Sequence, residues 1–306
     1  MIIGLAILCA IVGSLANAYA AVFQHDAVDS TIDHFGDHHT RFVGWRRLVH
    51  LVRTPRWVIG MILVGLGAAF HIVGLTLASI TIIQPVGITA ILFAIVIASR
   101  SRGRWPHSGV WISAVATVVG LSVFVVLAAT NAARTEDIHG YEITWTASAL
   151  GVVVLACCLV GAFGPKGARC LAWAAACATC FGFASALLRT FTLLIRSHTP
   201  WLSPIMITVI IGLLIAYLAG GWMAQQAYAS GPAEVVISTL TVVDPLIAVG
   251  IGLIVLGEGA AIGPGVGVAM ALAAAAAAIG VITLAKHHPE AGDAYAHTLD
   301  AASPDR

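Results

Sequence analysis

Charge is what this chain has least of. Only 9% of its 306 residues are Asp, Glu, Lys or Arg, against 59% that are hydrophobic. A soluble domain carries about a quarter of its residues charged, so that class is excluded, and a mean hydropathy of +0.97 points the same way. Motifs for covalent or metal-assisted hydrolysis are also missing: neither GxSxG nor HExxH occurs, which argues against an intramembrane enzyme; no cofactor is expected. Six cysteines are present, but Cys9, Cys157, Cys158, Cys177 and Cys180 lie within apolar runs and Cys170 at the start of one. The Cys177-x-x-Cys180 pair lies mid-run with no second ligand pair nearby, so the cysteines read as small packing residues. No Lys or Arg precedes the first apolar run. Although Ala18-Tyr19-Ala20 resembles a cleavage site, a retained helix is the expectation.

What the chain does have is length in its apolar runs. About twenty apolar residues span hydrocarbon, and nine such runs occur, roughly 1–23, 57–78, 80–99, 109–130, 145–163, 170–194, 202–221, 230–257 and 262–285. The expected fold is an all-α polytopic membrane bundle in two inverted halves, about 1–130 and 145–285. A polar stretch, 24–56, separates the first two runs, and a tail, 286–306, follows the last. Placing both in the cytoplasm puts 12 of the 15 basic residues on that side, leaving Arg134 and Arg196 outside and Arg189 within a helix. The positive-inside rule then predicts an external N-terminus and a cytoplasmic C-terminus in a multi-pass protein of the cell membrane. Within 41–53, Phe42, Trp45, Leu48, Val49 and Val52 interleave with Arg46, Arg47 and His50 at near-helical spacing. This predicts an amphipathic helix on the inner membrane face, its arginines meeting anionic headgroups. That account leaves no role for nucleic acid.

Two polar-proline dipeptides interrupt the apolar runs, Gln84-Pro85 and Asp244-Pro245. Proline removes a backbone donor, and a carboxylate is costly in hydrocarbon, so both predict broken helices around a polar cavity. Leu77-Ala78-Ser79 precedes the first and Tyr228-Ala229-Ser230 the second, a weak internal repeat in which the dipeptides align only across a gap of about nine residues. The first proline helix runs inward and the second outward, as an inverted repeat requires.

These residues carry a family resemblance. Trp57-x2-Gly60, Leu77-Ala78 and Ile82-Ile83-Gln84-Pro85 resemble the first half of the drug/metabolite transporter superfamily. The run Ala227 to Pro232, then Thr241 to Leu246 and Val255-Leu256-Gly257-Glu258, resembles the EamA-type signature of its second half. The layout, lacking a span between the first helix and Trp57, is similar to the nine-helix NIPA-like branch rather than to the ten-helix form. The resemblance covers about 57–285. It implies secondary transport of a small solute by alternating access, with magnesium transport as the alternative implied by that branch.

Asp244 is the first candidate for the solute pathway, because an ionisable group at depth is functional by default. Gln84 is its counterpart in the other half, Glu234 a possible guard of the cytoplasmic mouth, and His71 a possible proton carrier. Arg189 is expected to snorkel to water rather than to pair with Asp244. Gln225 and Gln226 are expected at the interface, and Glu258 at an external helix end. The polar stretch holds His25, Asp26, Asp29, Asp33, His34, Asp37, His38 and His39. In a helix Asp33 and Asp37, and likewise His34 and His38, would share a face and suit a transition metal; a solvated loop is the simpler expectation. A non-transporting scaffold explains the helix count and the glycine-bearing faces of Gly60, Gly65, Gly67, Gly263, Gly265 and Gly267. It gives Asp244 beside Pro245 no purpose. Those glycine faces would also serve a homo-oligomer.

Overall fold

The computed structural model describes residues 2–35, 43–78, 80–103, 105–131, 140–255, 259 and 262–287. Among them there are eleven helices and no strand: α1 (Ile2–Phe35), α2 (Trp45–Val52), α3 (Pro55–Leu77), α4 (Ile80–Ile88), α5 (Ala90–Arg102), α6 (Ser108–Asn131), α7 (Gly140–Phe163), α8 (Lys166–Arg196), α9 (Pro204–Tyr228), α10 (Ala233–Ile254) and α11 (Pro264–His287). With α4 and α5 joined in one span, nine spans among these residues are long and apolar enough to cross a membrane. The protein is therefore a multi-pass helical membrane protein. Helices are the solution because hydrocarbon offers backbone groups no partner outside the segment. Proline sits where it does least harm, opening α3, α9 and α11, at first-turn positions whose N–H has no helical acceptor.

Three antiparallel pairs form the frame, α1 with α3, α8 with α9, and α6 with α11. Glycine sets their closeness. Gly60, Gly67 and Gly74 recur every seven residues on α3, and all face α1. A Cβ at Gly60 would lie 2.8 Å from Gln24 Cγ, one at Gly67 would strike the Asn17 side chain, and one at Gly74 would lie 3.3 Å from the Ala6 carbonyl. Across the α6–α11 contact a Cβ at Gly120 would come within 2.9 Å of the Ala273 carbonyl, and Gly280 rests on Ser113 and Thr117. Gly65, Gly263 and Gly265 meet only open space, so they make no such contact. On α11 the packing glycine is Gly280.

The packing order repeats along the chain. α1 pairs with α3 and rests on α4 and α5; α8 pairs with α9 and rests on α10; α5 meets α10, and α7 packs on α8. Ala78 and Ala229, central in the matched tripeptides, are the C-cap residues of α3 and α9. Each thus marks the link from the paired helix to the proline helix.

The two prolines behave differently. The α4–α5 span breaks four residues past Pro85: Thr89 N donates to the Val86 carbonyl at 3.1 Å, and the Thr89 hydroxyl donates to that oxygen at 2.6 Å. Gly87 lowers helix propensity there, and the threonine competes for a helical acceptor. By contrast α10 runs unbroken from Ala233 to Ile254 with Pro245 inside it, correcting the expectation of a break there. Only the Thr241 carbonyl loses its helical donor, and no glycine lies within four residues of Pro245 to extend the disruption.

The polar stretch differs from expectation too. Helix α1 continues through Phe35, and Ala27, Val28 and Thr31 are buried, so residues 24–35 belong to the bundle rather than to a loop. Helix α2 turns Arg47 and Leu51 inward and leaves Trp45 78% exposed, with Val49 and Val52 also exposed. Arg46 is exposed as a membrane-surface helix requires, but Arg47 lies 6.0 Å over the Phe35 ring. Only one of the adjacent arginines is free to meet headgroups.

Orientation is open to direct measurement. Trp105 and Trp201, both well exposed, lie in connections at opposite ends of the bundle. In a cysteine-free background, Trp201→Cys should react with an impermeant thiol reagent on intact cells and Trp105→Cys only after permeabilisation; the reverse pattern would invert the topology.

Candidate functional site

A cavity of about 920 Å³ lies between the helix pairs, walled by residues of α1, α3, α4, α5, α6, α8, α9 and α10. Among its described lining residues the one acid is Asp244 on α10. The Ser185 hydroxyl of α8 donates to Asp244 Oδ1 at 3.4 Å. That approach depends on Gly182, one turn earlier on α8, where a Cβ would lie 2.7 Å from the Asp244 carbonyl oxygen and 2.7 Å from Ile247 Cβ. Arg189, one turn beyond Ser185, is on the same helix face and also lines the cavity. The snorkelling expected from sequence is therefore incomplete: Arg189 is exposed, yet it shares a chamber with Asp244.

The other side of the chamber comes from the first half of the chain. Gln84 lines it one residue ahead of Pro85, and His71 of α3 lines it as well. Gly87 gives the imidazole its room, since a Cβ there would lie 3.3 Å from His71 Cε1. Asp244, Gln84 and His71, proposed separately from sequence, thus meet at one cavity. Glu234 is not on its wall. It is 2% exposed in the first turn of α10, where a carboxylate complements the helix dipole.

One end of the cavity is closed by amides. Trp57 Nε1 donates to Gln225 Oε1 at 3.2 Å, and Gln225 Nε2 donates to Gln24 Oε1 at 3.5 Å. Beside them, Gln226 makes a two-point clasp with the residue ahead of α2: Val43 N donates to its Oε1 at 2.8 Å, and its Nε2 donates to the Val43 carbonyl at 3.1 Å. His25 Nδ1 is 3.1 Å from the Tyr228 carbonyl. Gln24, Gln225 and Tyr228 form the floor and are all buried, whereas Ser185, Leu188 and Arg189 on the wall are exposed. The expected interfacial placement of Gln225 and Gln226 is corrected: successive residues on a helix diverge by about 100°, so one faces the cavity while the other, 1% exposed, holds Val43. Gln226→Leu should leave the Val43 N–H and C=O without these partners and lower stability by about 1–3 kcal/mol, read as a lower melting temperature of the purified protein.

Of the four metal candidates, Asp33 and His34 lie among the described residues. His34 stacks on His50 of α2 with ring centroids 4.9 Å apart and planes 5° apart, and Phe35 packs edge-on to both. Asp33 lies on the same last turn of α1, while Asp37, His38 and Glu258 fall outside the described residues. Among the described residues, no three His, Cys, Asp or Glu side chains gather in a way that could hold a metal ion. The cysteines are free thiols, and Cys180 Sγ lies 3.9 Å from Met223 Sδ.

No family model matches the chain, and no curated protein or solved structure matches it either.

Proposed function

We infer that the protein is a secondary transporter that moves a small solute across the cell membrane by alternating access. The observation that carries this reading is the cavity itself. It draws Asp244, Ser185 and Arg189 from one set of helices and His71 and Gln84 from the other, with the buried amides Gln24 and Gln225 among its lining. A carboxylate in such a chamber can exchange its Ser185 hydrogen bond for a solute ammonium, a cation or a proton. Opening the amide floor while closing the opposite mouth would present that carboxylate to the other side. The repeated packing order supports the reading, because related helix sets of opposite orientation can exchange roles. So does the resemblance of the Gln84-Pro85 and Asp244-Pro245 regions to the drug/metabolite transporter superfamily.

The experiment is flux in proteoliposomes, with solutes chosen by a thermal-stability screen of the purified protein against metabolites and metal salts, since a ligand of the folded state raises apparent stability. Saturable uptake of an organic solute above that of protein-free vesicles is the expected result. Flux of divalent cations alone would favour the magnesium alternative, and stabilisation without any flux would favour a scaffold.

A further inference from the structure

The cavity carries two opposite charges that do not pair with each other. Asp244 and Arg189 are the one acid and the one arginine in its lining among the described residues, and no lysine joins them. Asp244 accepts from Ser185 Oγ at 3.4 Å through Oδ1 and, among the described residues, from no other side chain, Arg189 included. Its second carboxylate oxygen thus has no hydrogen from the protein. Arg189 stands four residues past Ser185 on α8, about 6 Å farther along the helix axis. A guanidinium carries five N–H donors, so a partner within the protein leaves others for a ligand.

The other side of the cavity brings amides and an imidazole. Asn17 of α1, His71 of α3 and Gln84 of α4 line it, all half-buried. Among the described residues none of these three side chains hydrogen-bonds to the protein. Polar groups drawn into a cavity and left unused by the fold are met by water or by a solute. We propose that the solute is a zwitterion of the α-amino-acid type with an uncharged, hydrogen-bonding side chain. Its ammonium would meet Asp244 and Ser185, its carboxylate Arg189, and its side chain Asn17, His71 and Gln84. The proposal rests on the reading of this cavity as the solute pathway given above.

Charge decides the class. Acid and arginine cancel, so a lone amine leaves the guanidinium without a counter-charge and a lone carboxylate leaves the acid without one. A divalent cation would meet a single acid and be repelled by the arginine, and a charged side chain on the solute would find no partner of its own. In an α-amino acid both charged groups sit on one carbon. With a hydrogen bond of about 2.9 Å at each end, it bridges an acid and a guanidinium offset by one helical turn, and a volume of about 920 Å³ admits it with water. The guanidinium fork also suits a carboxylate bidentately.

Binding is read first on the purified full-length chain. L-glutamine should raise the melting temperature by several degrees, and magnesium chloride should not do so against sodium chloride of equal ionic strength. N-acetyl-L-glutamine, which lacks the ammonium, L-glutaminamide, which lacks the carboxylate, and L-leucine, which offers the amides nothing, should each bind at least tenfold more weakly than L-glutamine. Asp244→Asn and Arg189→Gln should each weaken the binding of radiolabelled glutamine about tenfold or more. Arg189→Gln should bind L-glutaminamide at least as well as wild type does, a result that loss of folding could not give. No binding of glutamine by wild type would overturn the proposal, as would equal affinity for either blocked form, tighter binding of leucine, or stabilisation by magnesium. Glutamine binding without flux in proteoliposomes would count against the transporter reading and leave the site standing. Flux of another solute class with no amino acid bound would overturn the zwitterion and leave that reading intact.

Discussion

Asp244→Asn is expected to insert and fold as wild type while solute flux falls by well over tenfold, a loss of more than about 1.4 kcal/mol in the step that uses the charge. Asparagine keeps the size of the side chain and can still accept from Ser185 Oγ, so the α8–α10 contact at Gly182 survives. What disappears is the ionisable group in a cavity otherwise walled largely by apolar residues with His71, Gln84 and Arg189. A carboxylate there bears a desolvation penalty, which exchange with a solute, cation or proton would offset. Proteoliposome flux, with the melting temperature as a folding control, separates the outcomes. Wild-type flux in the variant would assign Asp244 to helix packing.

Gly182→Leu should produce the second large effect, this time on the frame. Even the first added carbon would lie 2.7 Å from the Asp244 carbonyl oxygen and from Ile247 Cβ, and backbone on a neighbouring helix cannot move aside as a flexible side chain would. Overpacking of this kind costs about 1–3 kcal/mol or more. Here it also separates Ser185 from Asp244, so both stability and flux should fall. Gly65→Leu is the matched control, because that glycine faces open space and should tolerate the side chain. Equal melting temperatures for the two variants would refute the close α8–α10 contact.

The spans were legible because hydrocarbon thickness imposes a length that apolar runs either meet or miss, and nine runs met it. Asp244 and Gln84 were legible for a related reason: a polar group beside proline inside such a run stands out against its surroundings. The continuation of α1 was missed because average polarity masks periodicity. Gln24, Ala27, Val28 and Thr31 recur at i, i+3, i+4 and i+7, and all four are buried; that stripe was the available signal. Nothing in the sequence separates Pro85 from Pro245 until the neighbours are considered. Gly87 and Thr89 follow the first closely, whereas apolar residues that sustain the helix follow the second. The contact of Ser14 Oγ with the Val86 and Gly87 carbonyls was not legible at all, since a serine in a span ordinarily bonds back to its own helix, and these oxygens come from residues more than seventy positions away.

The most direct test of alternating access needs no knowledge of the solute. Ala248 lies one turn beyond Asp244 on α10 and lines the cavity. In a background without the six native thiols, Ala248→Cys should react with a membrane-impermeant reagent applied to right-side-out vesicles and, separately, to inside-out vesicles, as the amide floor of Gln24 and Gln225 opens and closes. Reaction from one face alone under every condition would contradict a cavity that changes sides.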